Sequence, residues 1–464
     1  MTGDVECDLV VRGGTVVTAG GRGEADVGIS QGKIAQIGGP VRGRGQLDAT
    51  GALVLPGGLD MHVHLSYPAL PDRGEPGWAD DFASGSAAAI AGGVTTIGNM
   101  TFPGEGQSMR QALAHDLATA GGTAAVDYVL HPVLADPTPG ALAEVPELAS
   151  DGHTSLKLFM TSAVFEANAA EMIAAVRAAG QHGMLTLIHC EDGALIRDAG
   201  EQLLASGRGS LDHWAQARPV AAERAAVERA VAICETTGSP VYLVHLSSAA
   251  ALRSARGGQQ RGLPVFVETR PLYLYLTSEA LAQPQGGRYI GAPPLREPGD
   301  VAALWAGLAD GSVHTLGSDH APWLLRDKVD ESLDVTTARQ GVADLETVLP
   351  MLFSEGVRTG RISLSRFIAL TSSNAAQLFG LYPQKGTIAV GSDADLVILD
   401  PDLRRTIDGR SMQSRADYSV YDGREVHGWP RFTVSRGEVV LEDGEVLATP
   451  GRGRWLRRNP TAAP

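Results

Sequence analysis

The stretch LPGGLDMHVHL, residues 55–65, decides how the rest of the chain is read. It is an apolar run that ends in His62-Val-His64. Successive side chains of an extended strand alternate between two faces, so His62 and His64 point to the same side. Two histidines there could bond within a core or reach one metal ion, and the pair alone does not choose. Four further metal-capable groups close apolar runs of the same kind. They are Lys157 in TSLKLFM, His189 in MLTLIHCED, His245 in PVYLVHLSS and Asp319 in HTLGSDHAP.

Outward from these runs, the middle of the chain alternates strand-like and helix-like segments. Apolar runs fall near residues 52–65, 93–102, 126–134, 154–160, 184–192, 240–248, 264–273 and 313–322. Ala-rich amphipathic stretches lie between them, such as SMRQALAHDLATAGG, AAEMIAAVRAAGQHG and AAERAAVERAVAICETTGS, with Ser108 and Asn168 placed as N-caps. Eight apolar runs with helical crossovers predict an α/β chain whose main unit is a parallel (β/α)8 TIM barrel. Runs apolar on both faces suit buried parallel strands. Barrel enzymes carry their chemistry at the C-terminal ends of the strands. The six groups then belong to the ends of strands 1, 4, 5, 6 and 8.

The two ends read differently. CDLVVRGGTVVTAGG, EADVGISQGKIAQIGG, GSDADLVILDPD and WPRFTVSRGEVVLEDGEV are short alternating strands with turn signals. The expected organisation is a small β-sandwich formed by residues 1–56 and 391–448, a barrel over residues 57–390, and a basic tail at 449–464. That tail holds Arg452, Arg454, Trp455, Arg457 and Arg458. It is either a solvated end or, given the enrichment of Trp and Arg at interface cores, a contact in a homo-oligomer, tetramer or dimer.

Composition narrows the function classes. The 464 residues carry a net charge of −15, which opposes phosphate backbones and argues against nucleic acid as a partner. Cys7, Cys190 and Cys234 are odd in number and widely spaced, so no disulfide framework is implied and a cytoplasmic location is expected. No signal peptide and no run of about 18 apolar residues is visible, so no membrane span is expected.

His62, His64, His189, His245 and Asp319 offer nitrogen and oxygen ligands without thiolate. Such a set suits two divalent ions, Zn²⁺ first, with Mn²⁺, Co²⁺ or Fe²⁺ as substitutes. Lys157 has two readings. It could be a Schiff-base nucleophile in a metal-free lyase. It could instead react with CO₂ to give a carbamate, an anionic ligand able to bridge two ions. Two metals would repel an ammonium, so the joint picture favours carboxylation. His131, at the end of YVLHPVL, is a weaker candidate, and His320 reads as a structural neighbour of Asp319.

PGGLDMHVHL, DDFASGSAAAIAGGVTT, GHTSLKLFM, HCEDGALI, VHLSS, RYIGAPPLR, GSDHAP and KGTIAVGSDADLVILD together resemble the amidohydrolase superfamily. Within it they resemble the cyclic amidohydrolases: hydantoinase/dihydropyrimidinase, allantoinase and dihydroorotase. The resemblance implies His62, His64 and Asp319 on one metal, His189 and His245 on the other, and carboxylated Lys157 between them. It implies that a hydroxide shared by the ions attacks a ring carbonyl, while Asp319 carries the proton to the leaving nitrogen. All six ligand positions are filled, which argues against a non-catalytic scaffold homologue.

Four positions bear on the substrate. Ser66 stands where dihydroorotases carry an arginine for the substrate carboxylate, which points to a neutral ring; Arg73, Arg270 and Arg296 are the other cations that could take that role. Ser162 stands where hydantoinases carry a tyrosine, a departure from that group. Ala292 opens the APPLR block, whose family counterpart holds the ring through its backbone. Gln340 stands where hydantoinases use an asparagine backbone. The expected function is hydrolysis of a small cyclic amide, imide or ureide, hydantoinase-like, with allantoinase and then dihydroorotase as alternatives.

Overall fold

The computed structural model describes residues 6–66 and 76–461. Its centre is eight parallel strands in chain order: strand 1 (Gly58–Val63), strand 2 (Val94–Thr101), strand 3 (Asp127–Pro132), strand 4 (Ser155–Phe159), strand 5 (Leu185–His189), strand 6 (Val241–Leu243), strand 7 (Val265–Thr269) and strand 8 (Thr315–Leu316). Strands 3-2-1 form one arc and strands 4-5-6-7-8 the other. The bridge pairs Val133–Lys157 and Val63–His320 join the arcs at both seams, so the strands follow one another around a ring.

The crossovers are helical, among them Phe82–Ala91, Met109–Thr123, Ala169–Gln181, Val220–Thr237, Ala249–Gln260 and Pro298–Asp310. Ser108 caps its helix as expected, its hydroxyl accepting from Gln111 N. Asn168 does not. It also ends the short helix Ala163–Ala167, and its amide donates back to Val164 O at 2.9 Å, so no side-chain cap forms.

Inside the ring, Leu59, Met61, Val129, Leu185, Leu187, Tyr242 and Phe266 pack together. Val63, by contrast, belongs to the outer layer between strands and helices. A register irregularity between Asp60 and Val63 changes the phase of strand 1. Simple alternation from Met61 would have sent His62 outward; the irregularity turns the His62–His64 pair toward the interior instead.

The apolar run at 52–65, read as one strand, is in fact two. Leu53–Pro56 pairs antiparallel with Leu396–Thr406 in a seven-stranded sheet, and strand 1 begins only after Gly57. A four-stranded sheet has the order Lys33–Ile37, Val27–Ser30, Glu6–Arg12, Arg42–Asp48. Val11, Val27, Ile29, Val54, Leu396, Ile398 and Val434 share one apolar cluster between the two sheets, the arrangement of a β-sandwich built from both ends of the chain.

The basic tail lies along its own barrel rather than in solvent. Tyr128 N bonds Arg454 O and Leu456 N bonds Tyr128 O, adding a bridge beside strand 3. Leu456 enters the inner cluster. Arg458 is buried, and its guanidinium donates to Leu130 O and Ser155 Oγ. Close by, the Lys385 ammonium sits between Asp127, Asp393 and Asp395 at 2.7, 3.0 and 2.6 Å, so that acidic cluster already holds its cation. Among the described residues, no helix is long and apolar enough to cross a membrane.

Candidate active site

A cavity of about 180 Å³ opens where the strand ends converge, and His62, His64, His189, His245 and Asp319 line it. Asp319 Oδ1 lies 3.0 Å from His64 Nε2 and 3.3 Å from His62 Nε2. These three residues can direct one ligand atom each at a common point. The His189 and His245 rings meet edge-on at 4.5 Å, and His245 stacks on His62 at 5.3 Å. Both His245 and Asp319 lie beyond the ends of their strands with positive φ, 41° and 49°. Such backbone is uncommon for residues with a side chain and clusters at functional sites.

Lys157 is buried on strand 4, and its Nζ has no hydrogen-bond partner. It lies 4.8 Å from the centre of the Phe159 ring, which lines the cavity. Burial lowers its pKa to about 8, against the pull of Asp319 and Glu268. An amine so placed is partly neutral near physiological pH, the form that can take up CO₂. Burial likewise lowers His64 to about 4 and His245 well below the usual imidazole range, which keeps both rings in the neutral, metal-binding form. Burial pushes the Asp319 carboxyl up, but Arg270 and His62 outweigh it and hold the group well below the usual range. His64 Nδ1 and His245 Nδ1 are also buried without a partner. Unpaired buried nitrogens and an unpaired buried amine around one cavity fit a site built for divalent metal.

A second layer fixes these groups. Glu268 on strand 7 accepts from His62 Nδ1 at 2.7 Å, from His245 N at 3.0 Å and from the Tyr242 hydroxyl at 2.8 Å. Glu191 holds His189 Nε2 at 2.7 Å and is itself gripped by Arg218. Asp60 accepts from His62 N and from Ser318 N, tying strand 1 to the loop after strand 8. Carboxylates behind ligating histidines set the tautomer and orientation of the rings. Glu268 was missed in the sequence, although FVETR carries the same signal as the others: an acid closing an apolar run.

The remaining expected residues divide. Ala292 and Gln340 line the cavity. Ser66 and Ser162 are not in its wall. Ser66 Oγ accepts from Asn99 at 3.0 Å, and Ser162 caps the helix Ala163–Ala167 through Val164 N, leaving Thr161 to face the cavity. His131 stays in the core on Ser155 at 2.6 Å. His320 is structural, bonded to Asp80 at 2.9 Å. Arg270 is buried and pairs with Asp319 Oδ2 at 2.7 Å, and Arg296 is spent on Ser247 and Arg218 O. Arg73 lies outside the described residues. Trp78, Phe102, Phe159 and Ala321 supply apolar wall.

Comparison with known proteins agrees with this geometry. A match to the amidohydrolase family covers residues 53–440. D-hydantoinase from Ralstonia pickettii is 36% identical over 456 residues, 97% of this chain and 99% of that protein. D-hydantoinase from Geobacillus stearothermophilus is 38% identical over 458 residues, 97% and 96%. The crystal structure of dihydropyrimidinase from Brevibacillus agri superposes with a TM-score of 0.94 at 36% identity, over 98% of this chain and all of that one. With the fold, the cavity and a match over most of its length in agreement, the chain belongs to the amidohydrolase family.

Proposed function

We propose that this protein is a divalent-metal-dependent cyclic amidohydrolase that opens a neutral cyclic amide, imide or ureide of the hydantoin or dihydropyrimidine kind. The observation that carries this reading is the convergence of four histidines and Asp319 on one small, partly apolar cavity, with the unpartnered buried amine of Lys157 close to the Phe159 ring that lines it. His62, His64 and Asp319 would hold one ion, His189 and His245 a second, with Lys157 carboxylated between them. Bound divalent ions would generate a nucleophile from water at neutral pH and polarise a carbonyl. Zn²⁺ suits the donor set best.

The chain's own residues do the rest. Asp319 takes the proton released as the ring carbonyl is attacked and delivers it to the leaving ring nitrogen. Arg270 fixes the other carboxylate oxygen, so the group keeps one orientation. Trp78, Phe102 and Phe159 exclude water and pack against the ring or its substituent. Among the described residues, no lysine or arginine lines the cavity, so none of them would pair a buried ring carboxylate, which favours a neutral ring.

The test is turnover by purified protein, loaded with Zn²⁺ or Mn²⁺, of dihydrouracil, substituted hydantoins, allantoin, dihydroorotate and simple cyclic imides. Ring opening of a neutral substrate is the expected result. A kcat/KM for dihydroorotate above those for hydantoins and allantoin would overturn the assignment.

A further inference from the structure

Lys328 lies at the end of a single helical turn, Leu325–Lys328, outside the metal-capable set, and its side chain is 1% exposed. Its ammonium donates to three main-chain carbonyls: Ile290 O at 2.6 Å, Arg339 O at 2.5 Å and Gly341 O at 2.9 Å. An ammonium has three N–H donors and no acceptor, so three carbonyls use it completely. The three acceptors belong to two segments far apart in sequence, 290–293 and 339–342. Ala292 of one and Gln340 and Gly341 of the other line the cavity.

Other contacts show how closely these segments are held. Gly341 N donates to Ile290 O at 3.1 Å, so the two touch directly. Trp214 Nε1 donates to Gly291 O at 2.8 Å, the Tyr273 hydroxyl to Pro293 O at 2.5 Å, and Trp323 Nε1 to Gln340 O at 2.8 Å. Gly341 has φ of 113°, and a Cβ there would run into Ala321 O, so no other residue fits. Where these segments line the cavity, Ala292 and Gly341 offer a ring only main-chain groups, so what they can recognise depends on their spacing.

We infer that Lys328 is a positioning residue for substrate: it clamps segments 290–293 and 339–342 at the spacing that receives the polar edge of the ring. This rests on the proposed ring-opening reaction and extends it to a side chain that touches neither metal ligand nor substrate. Removing the clamp loosens the wall without touching the reacting atoms. Binding weakens and the chemical step survives, the pattern of a lost ground-state contact.

The experiment compares wild type with Lys328→Met, which keeps the length of the stem and loses every donor. Metal content by elemental analysis stays at the wild-type value. KM for the ring substrate that wild type opens rises by about tenfold, and kcat stays within about threefold. Amide hydrogen exchange quickens in segments 290–293 and 339–342 and not around His62 or His189. Trp323→Phe, which removes one surface-side anchor of Gln340, moves KM and exchange in the same direction by less, and serves if Lys328→Met does not fold. Unchanged KM in a folded, metal-replete Lys328→Met protein overturns the clamp, as does metal loss with unchanged exchange in the two segments. If wild type opens no ring, the proposed reaction falls, and the specificity role falls with it. The exchange data then still decide whether Lys328 holds the two segments.

Discussion

At Lys157 the fold buries an amine with no hydrogen-bond partner, a costly arrangement for a residue of only structural use. Lys157→Ala is expected to lose both bound metal and activity, and short carboxylic acids to restore part of each by replacing the carbamate. Elemental analysis with and without the acid checks this, and full metal content in the variant would refute the bridging role. Asp319→Asn is expected to lower kcat by roughly 10²–10⁴-fold while substrate still binds; near wild-type turnover would remove the proton-transfer assignment. Glu268→Gln keeps its shape but weakens the hold on His62, and metal affinity should fall by about 10–100-fold in a competition titration. Glu346 makes a different prediction. Burial raises its pKa to about 7, whereas in the unfolded chain it titrates near the usual value of about 4.3. Between those values the unfolded state gives up its proton first, so stability falls as pH rises toward 7 and stays reduced above it. Glu346→Gln should therefore raise the melting temperature more at pH 8 than at pH 5.

Elements were legible where one signal acted alone. Each of the eight apolar runs contains a barrel strand, because buried parallel strands need apolar residues on both faces. The six metal-capable groups were legible because each closes such a run. Three features were not. The break at Gly57 lies inside an unbroken apolar stretch, and only the partner strand Leu396–Thr406 shows that Leu53–Pro56 belongs to another sheet. The phase change in strand 1 leaves no mark in composition. Ser66 and Ser162, expected at the substrate from position along the chain, lie outside the cavity wall and take hydrogen bonds from Asn99 and Val164 N. The tail belongs to this scale as well. It supplies backbone bonds to Tyr128, Gly152 and Gly183 and buries Arg458, so it is part of the barrel's floor. Removing residues 450–464 should lower the melting temperature by about 1–2 °C, roughly the effect of losing 1–2 kcal/mol from a chain of this size. An unchanged melting curve would return the tail to a dispensable end.

At the scale of the whole molecule, the question is assembly. We expect a homo-oligomer, dimer or tetramer. Because the tail is engaged with its own barrel, the contact between copies is expected to survive tail removal even as stability drops. Light scattering on full-length and truncated protein separates the two effects, and a monomer in the full-length protein would end the proposal. The closure of the sandwich has a consequence for biosynthesis. Leu53–Pro56 leaves the ribosome early, but the strand that covers its edge, Leu396–Thr406, is among the last to be translated. Through most of elongation the nascent chain therefore carries an unpaired apolar strand, a template for wrong pairing. Messages truncated before residue 396 should yield products that depend on chaperones or precipitate, even when they encode all eight barrel strands.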